Sequence, residues 1–222
     1  MPGICRMIKQ LMSFPSTVVM AIACLLQVVS LSGLAGEPQL AEKPLPREDK
    51  IKFKDGAGET AFSLKIKGDG AKLTDGDEKE LARYTRSEDK LKIKDDKDKV
   101  LGYIANQDGA LRLLSPEDES ELFSLERAKN GDWSLKDAGG VRVAAFRRRD
   151  SGFVVEDAQD KVRHTVAVKS GKSTLRDATG KVLYQTKEDV TPSAIGCLAL
   201  DALPDVRIRG AFLFLLNQGA KK

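Results

Sequence analysis

Polar turns recur along the chain at a nearly constant interval between residues 50 and 187. They fall at steps of 20, 20, 20, 22, 20 and 20 positions, at Asp55, Asp75, Asp95, Ser115, Asp137, Asp157 and Asp177. A short strand pattern precedes each turn and another follows it, as in runs 91–95 and 100–104. Because Asp and Gly supply the backbone geometry of tight turns, this pattern predicts a series of β-hairpins.

The parity of side chains in these strands indicates a sheet with one apolar face. Phe62, Leu64 and Ile66 alternate with polar residues, and successive side chains of a strand point to opposite sides. A flat twisted sheet does not hold this many strands well, so closure is expected. We predict a mainly β fold, a closed barrel of about 12 antiparallel strands.

A C-terminal helix is predicted over residues 205–217. Asp205 can cap its start, and the run 211–216 is apolar on every side of the helix, so protein should enclose it. The run is about half the length of a bilayer crossing and follows Arg207 and Arg209, which disfavours a membrane span. We predict that the barrel, over residues 50–219, wraps around this helix.

The N-terminus has the layout of a secretory signal. Arg6 and Lys9 precede an apolar run over residues 17–34, and small residues follow it with a candidate cleavage point after Ala35. Two alternatives remain: the uncut run as a membrane anchor, and a poor lipoprotein box ending at Cys24.

These features divide the chain into three parts. Residues 1–36 are predicted to be a signal peptide or N-terminal membrane anchor, and residues 37–49, which contain three prolines, a linker. The remainder is predicted to be exported to the periplasm, the cell envelope or the medium. Cleavage would leave Cys197 without a partner for an internal disulfide, and we interpret it as a small buried residue.

Composition excludes some partners. The formal net charge of +4 comes from 37 basic and 33 acidic residues, which describes a mixed surface. Such a surface does not predict nucleic-acid binding.

Candidate chemistry is sparse. Arg147, Arg148 and Arg149 form the strongest basic cluster, at the end of a predicted strand, where they could meet a phosphate or an acidic partner. His164 shares the inward parity of its neighbouring valines and is interpreted as structural, as is Trp133.

Motif spacing predicts no metal and no cofactor. The acidic stretches 75–77 and 95–98 lack a glycine and a closing glutamate at the spacing that a calcium loop requires, so we interpret them as solvated turns. Neither a phosphate loop nor a nucleophile motif is present in the sequence, and no catalytic residue is predicted.

The hairpin turns of the form Asp-x-x-Gly-Lys-Val-Leu and the helix entered through residues 200–213 resemble the tubby-like C-terminal superfamily, above all its LURP-one-related and phospholipid-scramblase branches. This resemblance implies a barrel of roughly twelve strands around a hydrophobic central helix. Scramblases carry an acidic calcium-binding segment before the helix. Only Asp201 and Asp205 match such positions, and two carboxylates are too few for calcium.

The sequence therefore predicts a non-enzymatic exported barrel that binds a membrane lipid, an envelope component or a protein partner. The alternative is a structural repeat protein, in which the hairpins stack as an open solenoid and serve as a spacer or scaffold. A third hypothesis is a hydrolase with dispersed carboxylates, which requires a deep polar pocket and carboxyl groups of raised pKa.

Overall fold

The computed structural model describes residues 48–87, 89–203 and 205–219. The predicted signal or anchor segment, the lipoprotein box at Cys24 and most of the linker lie outside these residues.

Fourteen antiparallel strands form a closed barrel, in which each strand pairs with its neighbours in sequence and the first pairs with the last. The prediction of a closed barrel is confirmed. The predicted strand number of about 12 is close but not exact, because every predicted hairpin forms and each contributes two strands. Closure also excludes the open solenoid. The strands are β1 (Glu48–Lys54), β2 (Thr60–Lys67), β3 (Gly70–Asp75), β4 (Glu80–Ser87), β5 (Lys90–Asp95), β6 (Val100–Gln107), β7 (Ala110–Leu114), β8 (Glu121–Arg127), β9 (Trp133–Asp137), β10 (Arg142–Arg149), β11 (Gly152–Asp157), β12 (Val162–Lys169), β13 (Lys172–Asp177) and β14 (Val182–Thr186). Strand β1 begins two residues inside the stretch assigned to the linker.

The recurring aspartates close the hairpin turns at one end of the barrel, which we call the aspartate end. In six turns the Oδ1 atom accepts hydrogen bonds of 2.9–3.0 Å from the backbone N–H groups two and four residues later. The third residue after each of these aspartates has a φ of 60–90°. Ser115 replaces aspartate in the remaining turn, which is one residue longer. These contacts explain the interval seen in the sequence.

The other end of the barrel carries the turns that join each even-numbered strand to the next strand, from β2–β3 to β12–β13. We call it the cleft end, after the cavity described below. Strand β1 starts at this end, because Glu48 pairs with Lys67 at the close of β2.

Two helices follow the last strand: α1 (Pro192–Gly196), continued by a 3-10 turn (Cys197–Ala199), and α2 (Val206–Gly219). Thr191 caps α1 by accepting a hydrogen bond from the N–H of Ala194 at 3.3 Å. Asp205 caps α2 through the N–H of Arg207 at 2.9 Å, as predicted. No helix among the described residues is long and apolar enough to span a membrane.

Helix α2 packs on the inward-facing side chains of the barrel wall. Ala211, Phe212, Leu213 and Phe214 are at most 1% exposed. The hydroxyl of Tyr84 donates a hydrogen bond of 2.7 Å to the carbonyl of Arg207 in the first turn of the helix, and the Tyr84 and Phe214 rings stack at 6.2 Å. The apolar run is therefore enclosed over its first four residues.

The sequence predicts that protein encloses the whole run 211–216. Leu215 and Leu216 depart from this prediction, because both are only half-buried. They belong to the last turns of α2, at the cleft end. The helix thus fills the barrel from the aspartate end and leaves an apolar surface open at the other.

Candidate binding cleft

A cleft of about 880 Å³ opens at the cleft end beside the last turns of α2. Its apolar lining comes from strand ends and from the helix, and includes Leu111, Trp133, Phe153, Val190, Leu215 and Leu216. Its charged lining residues are Arg127, Arg148, Arg149, Asp150 and Asp189. The cleft therefore joins an apolar floor to a rim with more cations than anions.

The predicted basic cluster is divided by the alternation of strand β10. The side chain of Arg147 lies 3.2 Å from Glu156 and 3.3 Å from Asp132. The hydrogen bonds that the Arg147 guanidinium donates to these two carboxylates raise its pKa. Arg147 is thus occupied within the protein and does not line the cleft.

Arg148 and Arg149 are exposed and do line the cleft. The backbone N–H of Arg148 donates to Asp132 at 2.8 Å, and the side chain of Arg149 donates to the carbonyl of Arg148 at 3.1 Å. Within the described part of the chain, neither guanidinium forms an ion pair with a carboxylate. Both can accept an anionic ligand without breaking an internal ion pair.

Trp133, the only tryptophan in the chain, reaches the cleft from the start of β9. It packs on the core, as predicted, but it is half-buried, and the guanidinium of Arg127 lies 5.8 Å from its ring centroid. This arrangement is a cation–π contact at the rim. Trp133 is therefore both a wall of the cleft and a natural fluorescent reporter.

A buried amide lies next to this site. Asn217 is 1% exposed, and its Oδ1 accepts a hydrogen bond of 3.3 Å from the N–H of Thr191, a cleft residue. Its Nδ2 has no hydrogen-bond partner among the described residues. Sequence reasoning missed Leu215 and Leu216 as site residues, because the apolar run 211–216 predicts only an enclosed helix.

A second group of basic side chains lies on the outer face of β1 to β5, but it is largely neutralised. Five cations face one another across these strands: Lys50, Lys65, Lys72, Arg83 and Lys94. Each of three turn carboxylates bridges two of them: Glu78, Glu80 and Asp98. Like charges at paired positions destabilise a sheet, so these carboxylates have a structural role.

His164 lies at the aspartate end and takes no part in the cleft. It is 8% exposed, and its Nε2 is 2.9 Å from Oδ2 of Asp201. Strand parity does not indicate this partner, because Asp201 belongs to the connection before α2 and not to the strand face of His164. No group of three His, Cys, Asp or Glu residues that could hold a metal occurs within residues 48–87, 89–203 and 205–219.

The acidic turns are exposed over residues 76–79 and 96–99, as the prediction of solvated turns requires. Asp75 and Asp95 use Oδ1 to hold their own turns. Cys197 is fully buried, and burial raises the pKa of its thiol above the ordinary range.

The hydrolase hypothesis requires carboxyl groups whose pKa is raised. Six carboxyl groups of the described residues have a pKa that departs clearly from its ordinary value, and in each of them the pKa is lowered. Hydrogen bonds and ion pairs to the ionised form outweigh any effect of burial, which alone would raise these values. The groups concerned are Glu78, Asp118, Asp132, Asp157, Asp177 and Asp205.

Comparisons with known proteins give little beyond this geometry. No protein-family model matches the chain, and no curated protein matches it significantly. An X-ray structure of a protein from Arabidopsis thaliana is similar at 11% identity and a TM-score of 0.40, over 72% of this chain and 95% of the other. A likeness at this level carries no argument about function.

Proposed function

We propose that this protein is a non-catalytic, exported binding domain whose cleft takes an amphiphile with an acidic group. The acidic group lies against Arg148 and Arg149, and the apolar part lies against Leu215, Leu216 and Trp133. The ligand class is lipid-like, in agreement with the lipid-binding function predicted from the sequence.

The observation that carries this proposal is the pairing of two guanidinium groups, free of internal ion pairs, with an open apolar floor. Guanidinium binds carboxylate and phosphate oxygens with two parallel hydrogen bonds. Burial of each methylene contributes about 0.8 kcal/mol, or about fourfold in affinity. A ligand with both parts uses the two halves of the cleft together.

Export and kinship are part of the same proposal. Export is supported by Arg6, Lys9 and the apolar run 17–34, and sequencing the N-terminus of the mature protein tests it.

Kinship with the tubby-like superfamily is supported by a barrel that closes next to a buried C-terminal helix. The fourteen strands depart from the roughly twelve that this superfamily implies.

The test uses the fluorescence of Trp133 in the full chain. Dodecanoate, kept below its micelle concentration, should change the emission and saturate, and the shorter decanoate should bind up to about 15-fold more weakly because two methylenes are lost. The neutral amphiphile dodecyl maltoside should bind more weakly than dodecanoate.

The decisive variant is Arg148→Ser/Arg149→Ser, which should lose most of the dodecanoate affinity. Its matched control is Arg142→Ser/Arg163→Ser, which removes the same charge at the aspartate end and should bind like the unmodified protein. Equal affinities for dodecanoate and dodecyl maltoside, or unchanged binding by the first variant, would overturn the proposal.

A further inference from the structure

We infer that the cleft end docks against an anionic bilayer surface through three adjacent turns, which we call the basic turns. They join β8 to β9, β10 to β11 and β12 to β13, and carry Arg127, Lys129, Arg148, Arg149, Lys169 and Lys172. The inference rests on the proposed function in one respect, that the ligand of the cleft is a lipid.

The basic turns form a continuous surface, because they connect consecutive strands of one barrel wall. Neighbouring strands lie about 4.8 Å apart, so successive turns at one end are about 10 Å apart and the three extend over about 20 Å. All six basic residues are exposed. The surface is therefore wide enough to meet several lipid headgroups at once.

Carboxylates of the described residues do not neutralise these cations. No ion pair joins any of the six to a carboxylate within the described ranges. Among the acids nearby in sequence, Glu126 pairs with Lys136, and Asp132 is already held by the side chain of Arg147 and the backbone of Arg148. Asp150 is the one acidic residue in the turn between β10 and β11. Charge therefore favours an anionic partner here.

The opposite end of the barrel has the reverse character. Its exposed turns carry acidic residues that form no ion pair within the described ranges: Glu59, Asp77, Asp96, Glu117 and Asp118. Near an anionic surface the two ends are thus driven in opposite directions, and the barrel is oriented with its cleft toward the bilayer.

One further feature fits this orientation. Trp133 lies at the rim, and tryptophan side chains favour the boundary between headgroups and acyl chains.

The experiment measures sedimentation of the full chain with two kinds of vesicle, pure phosphatidylcholine and phosphatidylcholine with phosphatidylserine. Apolar binding through the N-terminal segment occurs with both, so the ratio of the two affinities isolates the electrostatic contribution. Arg6 and Lys9 contribute to this ratio equally in every variant, so a comparison between variants isolates the contribution of the basic turns. We expect a higher affinity for the anionic vesicles, a decrease of that preference at high salt, and a blue shift of Trp133 emission on binding.

The test variant is Lys169→Glu/Lys172→Glu, which leaves the cleft arginines in place. Each basic residue near an anionic membrane contributes about 1 kcal/mol, or about fivefold, so this variant should lose at least about 25-fold of the anionic preference. The matched control is Lys161→Glu/Lys181→Glu, the same charge change at the aspartate end, which should not lose it. Circular dichroism confirms folding of both.

Dodecanoate binding separates the two proposals. If the Lys169→Glu/Lys172→Glu variant binds dodecanoate normally but keeps its full preference for anionic vesicles, the docking inference is overturned and the proposed function stands. If the unmodified protein prefers anionic vesicles but does not bind dodecanoate, the proposed function is overturned and the docking surface stands. No preference for anionic vesicles in the unmodified protein also overturns the docking inference.

Discussion

The substitution Gly210→Ala tests the close packing of α2 against the barrel wall. A Cβ at position 210 would lie 2.5 Å from the hydroxyl oxygen of Tyr84 and 3.3 Å from Cδ2 of Leu73. In an isolated helix the same change is favourable by about 1 kcal/mol. Packing therefore predicts that Gly210→Ala lowers the free energy of unfolding, whereas helix propensity predicts that it raises this free energy. The measured sign of the change decides between them.

We expect packing to dominate. Overfilling a well-packed core costs about 1–3 kcal/mol, and displacement of the Tyr84 hydroxyl from the carbonyl of Arg207 costs about 1 kcal/mol more. After subtraction of the propensity gain, Gly210→Ala should destabilise the protein by about 1–3 kcal/mol. For a domain of this size each kcal/mol lowers Tm by about 2–4 °C.

Urea unfolding followed by circular dichroism measures this change, with two comparisons. Gly219→Ala adds the same methyl group in the same helix where nothing lies within 4 Å, and should change stability by less than about 0.5 kcal/mol. In a Tyr84→Phe background the clashing oxygen is absent, so Gly210→Ala should cost about 1–2 kcal/mol less than in the unmodified protein. A Gly210→Ala protein as stable as the unmodified one would refute the contact between α2 and strands β3 and β4.

Three other predictions concern the turns, the helix cap and the buried thiol. Gly140→Ala should cost about 1–2 kcal/mol in urea unfolding, because φ is +78° there and no atom lies within 4 Å, so only backbone strain acts; an unchanged stability would contradict the turn geometry. Partial burial alone would raise the pKa of Asp205, but hydrogen bonds from the side chain and backbone of Arg207 lower it. The carboxylate therefore stabilises the fold above its unfolded pKa of about 3.9, and this stabilisation is lost as the pH falls further. The stability difference between the unmodified protein and Asp205→Asn should shrink on acidification, and a difference that stays constant would count against the cap. Cys197 should resist a thiol reagent in the native protein and react after unfolding, since it is buried with a raised pKa; peptide mass spectrometry locates the label, and rapid native labelling of Cys197 would contradict its burial.

Local signals in the sequence were sufficient for the hairpins, the barrel and the helix. The aspartate turns depend on hydrogen bonds between residues two and four positions apart, so their signature is contained in short stretches of chain. The same holds for the cap at Asp205 and for the inward parity of Phe62, Leu64 and Ile66. The predicted strand number of about 12 is close to the observed fourteen, which is the number that two strands in each of seven hairpins give.

Tertiary structure alone decided where the candidate site lies. Arg147 and Arg148 are adjacent and chemically identical, yet Arg147 forms ion pairs with Glu156 and Asp132 whereas Arg148 lines the cleft. The difference arises because neighbouring side chains of a strand point to opposite sides and contact different elements. His164 forms a hydrogen bond with Asp201, which lies 37 residues further along the chain, and this pairing depends on the path of the chain before α2. Leu216 has the same apolar character as Phe212, and only the position of the barrel rim leaves the first at an opening and the second in the core. Local periodicity determines which face of an element is apolar, whereas the length of the helix relative to the wall around it determines which part of that face stays open to a ligand.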